Sequence, residues 1–300
     1  DARAALGIAR ALGAGVKETE AGIEIEGGIL AKAPPSLPGL PRRLSCGESG
    51  LCIRMFSPIA ALLPGETELG AEGSLRRRPV TAIEGSIDSL GGRATTQAGL
   101  PPVLVQGPLL GGRAEVDAST SSQFLTGLLI ALPCAAGNSE LLVSNIVSSG
   151  YVDLTLDTMA AFGVGIQASP DRSAFFVAGG QAYRARDFEV EGDWSGAAFL
   201  LVAAAIAGKL GSVLRLDGLK LDSSQPDRAI LEVLSLAGAE VVELPGSPSG
   251  SVLVGRRDLS SFSFDATDCP DLFPPLVALA SVCQGLSVLT GALRLASKES

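Results

Sequence analysis

Hydrophobic and polar positions along this chain follow a pattern that occurs four times. Each copy contains a short amphipathic helix that closes on glycine, as in IEGSIDSLGGRAT (83–95), where Ile83, Ile87 and Leu90 share one helix face and Gly91 is the expected left-handed cap. A strand rich in β-branched residues is predicted after each helix. The four closing glycines, at intervals of 78, 72 and 75 residues, are Gly13, Gly91, Gly163 and Gly238.

A second series consists of apolar helices that are introduced by small polar residues. These segments begin at Gly47, Ser119, Gly192 and Asp268, at intervals of 72, 73 and 76 residues. Ser or Asp occupies the capping position of each, and a glycine lies near each end. Because the helices are apolar nearly all round, we expect them to be buried, with their polar N-termini converging. The alternative interpretation is a repetitive solenoid. Solenoid repeats are roughly 20 to 50 residues long, however, whereas a repeat of about 75 residues is a whole supersecondary unit.

The composition predicts a globular protein with two cores. The chain has 300 residues, of which 46% are hydrophobic and 18% charged, and its mean hydropathy is +0.36. The longest apolar run, 197–207, is too short for a membrane helix, which needs roughly 18 residues. The net charge of −9 argues against a nucleic-acid binder, because phosphate backbones are bound by basic surfaces. We therefore expect neither a nucleic-acid partner nor a membrane partner.

The chain has no histidine, and its five cysteines are widely spread without a C-x-x-C pair. The lack of histidine excludes Ser-His-Asp and Cys-His nucleophilic chemistry and removes the commonest transition-metal ligand. Scattered cysteines in an odd number are typical of buried thiols in a reducing cytosol, so we predict a cytoplasmic location, no disulfide and no zinc site. Any catalysis must then use Asp, Glu, Lys and Arg.

Motifs at the polar starts of the apolar helices are the most specific feature of the sequence. The strongest is SSQFLTGLL at 121–129, which follows a predicted strand containing Asp117. The others, in chain order, are CGESGLCIR (46–54), SLRRRPV (74–80), VSSGYVDLTLDTMAAFGV (147–164), GDWSGAAFLLVAAAI (192–206), DCPDL (268–272) and LASKES (295–300). In order and spacing these motifs resemble those of the 5-enolpyruvylshikimate-3-phosphate (EPSP) synthase family, over essentially the whole chain.

The resemblance implies an α/β fold, a two-domain inside-out α/β barrel built of repeated βαβαββ units with buried helices. It divides the chain into a first domain, 1–191, incomplete at its start, and a second domain, 192–300, truncated at its C-terminus. The chain begins at Asp1 without an initiator Met and stops just after a Lys-Glu pair. We interpret both ends as cuts, and we expect the fragment by itself to be inactive.

The implied activity is that of a 3-phosphoshikimate 1-carboxyvinyltransferase. Such an enzyme moves the enolpyruvyl group from phosphoenolpyruvate to the 5-hydroxyl of shikimate 3-phosphate and releases phosphate, in the shikimate pathway to chorismate and the aromatic amino acids. The resemblance implies these two small-molecule substrates and no cofactor or metal, and we expect a monomer. Two alternatives stay open: the related enolpyruvyl transferase that acts on UDP-N-acetylglucosamine, and a non-catalytic ligand-binding fragment.

Serine-rich helix N-termini with free N–H groups are suited to binding anions. Ser121, Ser122 and Gln123 match the family residues that bind shikimate 3-phosphate, although plain helix capping is the alternative for the two serines. Ser148 and Tyr151 match residues that contact the same substrate from the first domain; core packing is the alternative for the tyrosine.

Gly50 and Arg78, together with Gln123, match the residues that bind phosphoenolpyruvate. The planar guanidinium suits bidentate contact with phosphate or carboxylate, and a glycine lets the substrate approach the backbone. Glu48 stands where the family frequently has Asn, a departure that would place an acidic residue beside the anion pocket.

The resemblance assigns the proton-transfer roles to two acidic residues. Asp271 matches the aspartate beside the 5-hydroxyl, as proton acceptor or orienter, and Glu299 matches the glutamate that protonates the methylene carbon of phosphoenolpyruvate. Different surroundings can separate the proton affinities of two carboxylates, which allows acid and base roles near neutral pH. Lys298 is implied to bind the shikimate side; without the resemblance, Lys298 and Glu299 would be interpreted as an exposed pair.

Overall fold

The computed structural model describes residues 1–37, 39–119, 121–209, 211–246 and 249–297. Lys298 and Glu299 lie outside the described residues. The chain forms two compact units: Asp1–Ile146 with Thr155–Arg186, and Val147–Leu154 with Asp187–Ser300. The short segment Val147–Leu154, which we expected in the first domain, therefore groups with the second unit, and the later change of unit falls a few residues before the predicted boundary at 191.

The helices are amphipathic or apolar, as the hydrophobic pattern predicts, and glycines close the amphipathic ones. Ile83, Ile87 and Leu90 are all buried. Gly13, Gly91, Gly163 and Gly238 have φ angles of +92°, +88°, +82° and +87°, so each adopts the predicted left-handed conformation. The α-helices are α1 (Ala2–Ala11), α2 (Ile29–Lys32), α3 (Gly50–Ala61), α4 (Ala82–Ser89), α5 (Gln123–Ala131), α6 (Ser149–Ala161), α7 (Trp194–Ala207), α8 (Ile230–Leu236) and α9 (Phe273–Val282).

Short strands lie between the helices. Those of the first unit are β1 (Gly15–Thr19), β2 (Gly22–Glu26), β3 (Arg42–Ser45), β4 (Gly65–Gly70), β5 (Arg93–Gln97), β6 (Leu100–Gly107), β7 (Gly112–Asp117), β8 (Ser139–Ser144), β9 (Gln167–Ala168) and β10 (Ala174–Val177). Those of the second unit are β11 (Val213–Leu219), β12 (Glu240–Leu244), β13 (Gly250–Gly255), β14 (Ser263–Asp265) and β15 (Val288–Thr290).

The first unit repeats one sheet topology. One four-stranded sheet has the order β3-β4-β6-β5, and another has the order β7-β8-β10-β9. In each sheet the first pair is parallel and the remaining pairs are antiparallel. Strands β1 and β2 form a separate antiparallel pair. The same mixed topology, about 70 residues apart along the chain, is the structural counterpart of the repeat in the sequence.

Helices α3 and α5 pack against each other in the first unit. Gly127 of α5 allows this close approach, because a Cβ atom there would lie 2.8 Å from the Cα atom of Met55. Most of α5 is buried, including Phe124, Leu125 and Leu128. This helix pair therefore fixes the N-terminus of α5 relative to the N-terminus of α3, where the candidate site residues lie.

The second unit has an antiparallel sheet, β11-β13-β12, and a parallel pair, β14-β15. Its core forms around Trp194 and Leu201 of α7, Leu234 of α8 and Leu276 of α9. The opposite face of α7 exposes apolar side chains such as Phe199. The apolar helices of this unit thus bury one face in the core. Among the described residues no helix is both long enough and apolar enough to span a membrane.

Candidate active site

The N-terminus of α5 carries three of the predicted substrate-binding residues. Ser121 Oγ accepts a hydrogen bond of 3.2 Å from the backbone N–H of Gln123. Ser122 occupies the N-cap position and is 6% exposed, yet its side chain makes no capping hydrogen bond. Plain helix capping therefore explains the hydrogen bond that Ser121 Oγ accepts, but it does not explain the position of the Ser122 hydroxyl. The predicted side-chain cap is observed instead at α3, through Ser49, and at α7, through Asp193.

The loop before α5 is held by Asp117. Its Oδ1 atom accepts the backbone N–H of Ser119 at 3.0 Å and the side-chain amide of Asn145 at 3.3 Å. These hydrogen bonds lower the pKa of Asp117, so the carboxylate is ionised at neutral pH. Asp117 thereby anchors the end of β7, from which the chain enters the serine-rich loop.

Arg54, which the sequence interpretation missed, connects the two helix N-termini. It is 7% exposed. Its Nη1 atom donates to the carbonyl oxygen of Gly50 at 3.1 Å and to Oε1 of Gln123 at 3.2 Å, and Nη2 donates to the carbonyl oxygen of Pro79 at 3.0 Å. An arginine within the apolar α3 is the sequence signal that could have identified it, because a buried cation needs specific partners.

The second arginine of the site, Arg78, lies against Gly50. A Cβ atom on Gly50 would lie 2.4 Å from Nη1 of Arg78 and 2.8 Å from Nη1 of Arg54. Burial lowers the pKa of Arg78, and burial together with the charge of Arg78 lowers the pKa of Arg54 to about 10. Two guanidinium groups beside one side-chain-free backbone position form a site that an anion would stabilise, since it would offset their mutual repulsion.

The structure thus brings Gly50, Arg78 and Gln123 together in the first unit, with Arg54 as the connecting residue. Next to them is a cavity of about 250 Å³ whose lining includes Arg54, Asp117 and Ser121. Ser121 therefore borders a cavity that is also lined by Arg54, the residue bonded to Gly50 and Gln123.

In the second unit, Tyr151 lies in a cluster of acidic residues. Its hydroxyl donates a hydrogen bond of 2.6 Å to Oδ2 of Asp227, which is 0% exposed and also accepts the hydroxyl of Ser195. Burial and the charge of Asp227 raise the pKa of Tyr151 far above its usual value, and the charge of Asp271 adds to this increase. Tyr151 is therefore a neutral donor at physiological pH, and Asp271 lies close enough to act on it electrostatically.

Ser148, in the same unit, has an unusual backbone conformation. Its φ angle is +54°, and its backbone N–H donates to Oδ1 of Asp268 at 3.0 Å. These bonds of Ser148 and Tyr151 explain why the segment 147–154 groups with the second unit rather than the first. The sequence interpretation missed Asp227, which no motif marks, and it gave Asp268, the first residue of the DCPDL motif, no contact with Ser148.

Comparison with known proteins now identifies the class of protein. The family profile of EPSP synthase (3-phosphoshikimate 1-carboxyvinyltransferase) matches residues 1–300. This chain belongs to the EPSP synthase family.

Individual relatives agree with the family match. The chain is similar to the 3-phosphoshikimate 1-carboxyvinyltransferase of Methanocorpusculum labreanum, with 36% identity over 303 residues, 100% of this chain and 68% of the relative. It is 32% identical to the protein of that name from Clostridium botulinum strain Alaska E43, covering 100% of this chain and 67% of the relative. Among solved structures, it resembles EPSP synthase from Acinetobacter baumannii, with a TM-score of 0.80, 26% identity, and coverage of 100% of this chain and 67% of that one. The chain thus spans about two thirds of each relative, with the same mixed α/β fold.

Proposed function

We propose that the protein transfers the enolpyruvyl group of phosphoenolpyruvate to the 5-hydroxyl of shikimate 3-phosphate and releases inorganic phosphate. The observation that carries this proposal is the pair of arginines at Gly50, linked through Arg54 to Gln123 beside two serines. This arrangement, in a chain of the EPSP synthase family, supports the binding of phosphate and carboxylate groups side by side.

In this proposal the first unit binds the anionic groups. The guanidinium of Arg78 binds the phosphate or carboxylate of phosphoenolpyruvate, which approaches the backbone at Gly50, where no side chain intervenes. Gln123 contacts both substrates, because Arg54 fixes its Oε1 atom and leaves its amide group to donate. Ser121 and Ser122 bind the phosphate of shikimate 3-phosphate at the N-terminus of α5.

The second unit supplies contacts and proton transfer. Asp271 accepts or orients the proton of the 5-hydroxyl while the hydroxyl oxygen bonds to C2 of the enolpyruvyl group. Protonation of the methylene carbon, assigned to Glu299, makes C2 electrophilic and turns the methylene into a methyl group. After the hydroxyl oxygen has added to C2, this methyl group loses a proton and the C2–O bond to phosphate breaks, which restores the double bond. Tyr151, kept neutral by its raised pKa, and Ser148 contact shikimate 3-phosphate, and Lys298 binds its shikimate side.

A phosphate-release assay tests this proposal. The protein expressed from its complete coding sequence is mixed with phosphoenolpyruvate and either shikimate 3-phosphate or UDP-N-acetylglucosamine. We expect release only with shikimate 3-phosphate; release only with the nucleotide sugar would favour the related transferase, and binding without release would favour the non-catalytic alternative. The same assay on residues 1–300 alone tests the prediction that this segment is inactive, and light scattering after gel filtration tests the predicted monomer.

Arg78→Met and Arg77→Met form a matched pair for the site assignment. Loss of a charge-assisted contact should raise the KM for phosphoenolpyruvate about 10- to 100-fold in Arg78→Met. Arg77 is exposed, so Arg77→Met should change this KM by less than about twofold. Equal effects of the two substitutions would remove Arg78 from the site.

A further inference from the structure

Glu48 lies two residues before Gly50, and its carboxylate accepts two hydrogen bonds from Ser74 in the following loop. Its Oε2 atom accepts the backbone N–H of Ser74 at 2.9 Å and the hydroxyl of Ser74 at 3.1 Å. These two hydrogen bonds lower the pKa of Glu48. The acidic side chain beside the anion site is therefore ionised and turned toward Ser74.

The loop is shaped to accept this carboxylate. Gly73 has a φ angle of +50°, and a Cβ atom there would lie 2.2 Å from Oε2 of Glu48. Only glycine combines this backbone conformation with the required space. One residue earlier, the backbone N–H of Glu72 donates to the carbonyl oxygen of Gly47 at 2.7 Å. The two loops are thus joined by backbone and side-chain bonds at successive positions.

The residues that Glu48 holds lead directly to Arg78. Ser74 belongs to the 3-10 helix Gly73–Arg77, and the backbone N–H of Arg78 closes this helix on the carbonyl oxygen of Leu75 at 3.1 Å. We call residues 73–78 the arginine turn. Glu48 binds its beginning, and the guanidinium at its end lies against Gly50. The side chain of Leu75, which is fully buried, fixes the middle of the turn.

We propose that Glu48 is a positioning residue, which orients the arginine turn so that Arg78 faces Gly50 and thereby sets the affinity for the anionic enolpyruvyl donor. This inference rests on the proposed function of the site. It also accounts for a carboxylate beside an anion site: the charge of Glu48 is partly offset by the two bonds from Ser74, and its contribution to binding is made through Arg78.

A positioning role for Glu48 and simple charge repulsion by Glu48 predict different changes in the KM for phosphoenolpyruvate in two variants. Glu48→Ala removes both acceptor contacts, so we expect the KM for phosphoenolpyruvate to rise about 5- to 30-fold, with kcat and the KM for shikimate 3-phosphate changed less than about twofold. Glu48→Gln keeps an acceptor oxygen for Ser74 and should restore the KM to within about threefold. If charge repulsion governed the site instead, both substitutions would lower the KM for phosphoenolpyruvate, and the proposal would be overturned.

A double-mutant cycle tests whether Glu48 acts through Arg78. In an Arg78→Met background, Glu48→Ala should change the KM for phosphoenolpyruvate by less than about twofold, because the group being positioned is already gone. Fully additive effects of the two substitutions would contradict the proposal. Glu20→Ala, at the exposed turn between β1 and β2, is the matched control and should leave all kinetic constants unchanged.

Hydrogen exchange separates this inference from the proposed function. In Glu48→Ala, the backbone amides of 73–78 should exchange at least about fivefold faster than in the wild type, with α5 unchanged. This readout needs no substrate. Unchanged exchange in the arginine turn would overturn the positioning role, even in an active enzyme, whereas a wild-type protein without turnover would overturn the proposed function alone.

Discussion

Arg54 and Gln123 are joined by a hydrogen bond of 3.2 Å between Nη1 and Oε1, which links helix α3 to the first residue of helix α5. The same guanidinium binds the carbonyl oxygens of Gly50 and Pro79. Because Pro79 follows Arg78 directly, one buried cation holds the three chain segments that carry the proposed phosphoenolpyruvate contacts. The site is therefore built around a residue that need not touch substrate.

Arg54→Lys tests this role. A single ammonium group cannot reach three acceptors arranged around a planar guanidinium, so at least one buried oxygen loses its donor. We expect the free energy of unfolding to fall by about 1–3 kcal/mol, measured by urea unfolding followed by circular dichroism, and the KM for phosphoenolpyruvate to rise.

Arg76→Lys is the control for this substitution. Arg76 is exposed, and its Nε atom donates to the carbonyl oxygen of Ala71 at 3.2 Å. Arg76→Lys should change the free energy of unfolding by no more than about 0.5 kcal/mol. Equal stability losses at positions 54 and 76 would show that the contacts of Arg54 do not depend on its guanidinium geometry.

Gly50→Ala introduces a methyl group between two arginines. The added Cβ would lie 2.4 Å from Nη1 of Arg78 and 2.8 Å from Nη1 of Arg54, so at least one guanidinium must move. Because these are the ends of flexible side chains, we expect the fold to persist while the KM for phosphoenolpyruvate rises about 10- to 100-fold. Steady-state kinetics with each substrate varied in turn would measure this effect.

Gly85→Ala provides the comparison. Gly85 lies in helix α4, and a Cβ there meets nothing within 4 Å. Alanine should stabilise the helix by up to about 1 kcal/mol and leave both KM values unchanged. An unchanged KM for phosphoenolpyruvate in Gly50→Ala would mean that the guanidinium of Arg78 does not contact the substrate from its observed position beside Gly50.

The features that sequence could predict are those encoded locally. The face formed by Ile83, Ile87 and Leu90 followed from helical spacing, and the capping role of Asp193 followed from a small acidic residue before an apolar run. Helix α9 differs, since a 3-10 helix, Pro270–Leu272, precedes it and Leu272 occupies its N-cap. Local propensity does not reveal which segment continues into a helix when a tight turn competes for the same residues.

Contacts between distant residues account for what the sequence interpretation missed. Arg54 meets Gln123, 69 positions away, and Asp227 meets Tyr151, 76 positions away. Neither pair is marked by spacing, because each forms only after separate elements have packed. The same applies to the contact between Glu48 and Ser74, which are 26 positions apart.

Tyr151→Phe removes a hydroxyl donor from the buried carboxylate of Asp227. The lost bond is 2.6 Å long, and Asp227 is 0% exposed, so water cannot easily replace the hydroxyl. We expect the free energy of unfolding of the second unit to fall by about 1–3 kcal/mol. Trp194 is the only tryptophan in the chain and is fully buried in this unit, so its fluorescence during urea unfolding reports the change.

Ser235→Ala is the control in the same unit. The Ser235 hydroxyl donates to the carbonyl oxygen of Leu231 at 2.8 Å on the exposed side of α8. Its loss should alter stability by less than about 0.5 kcal/mol, because water reaches this position. A Tyr151→Phe variant as stable as wild type would indicate that the remaining donors satisfy Asp227 without Tyr151.

Two buried thiols, those of Cys46 and Cys269, should make the free energy of unfolding vary with pH in the alkaline range. Burial, with a contribution from Cys52, raises the pKa of Cys46 to about 12. Burial, with contributions from the neighbouring aspartates, raises the pKa of Cys269 to about 12. In an unfolded chain both thiols titrate near 8.5.

The sign of the effect follows from proton binding. Between about pH 8.5 and pH 12 the folded chain retains thiol protons that the unfolded chain has lost, so the free energy of unfolding falls as pH rises. Below about pH 8.5 both states are protonated, and these thiols add no pH dependence. We expect the urea midpoint reported by Trp194 to fall from pH 8 to pH 10, and to fall less steeply in Cys269→Ala, which has no thiol to ionise. An equal slope in the two proteins would mean that Cys269 ionises as readily in the folded chain as in the unfolded one.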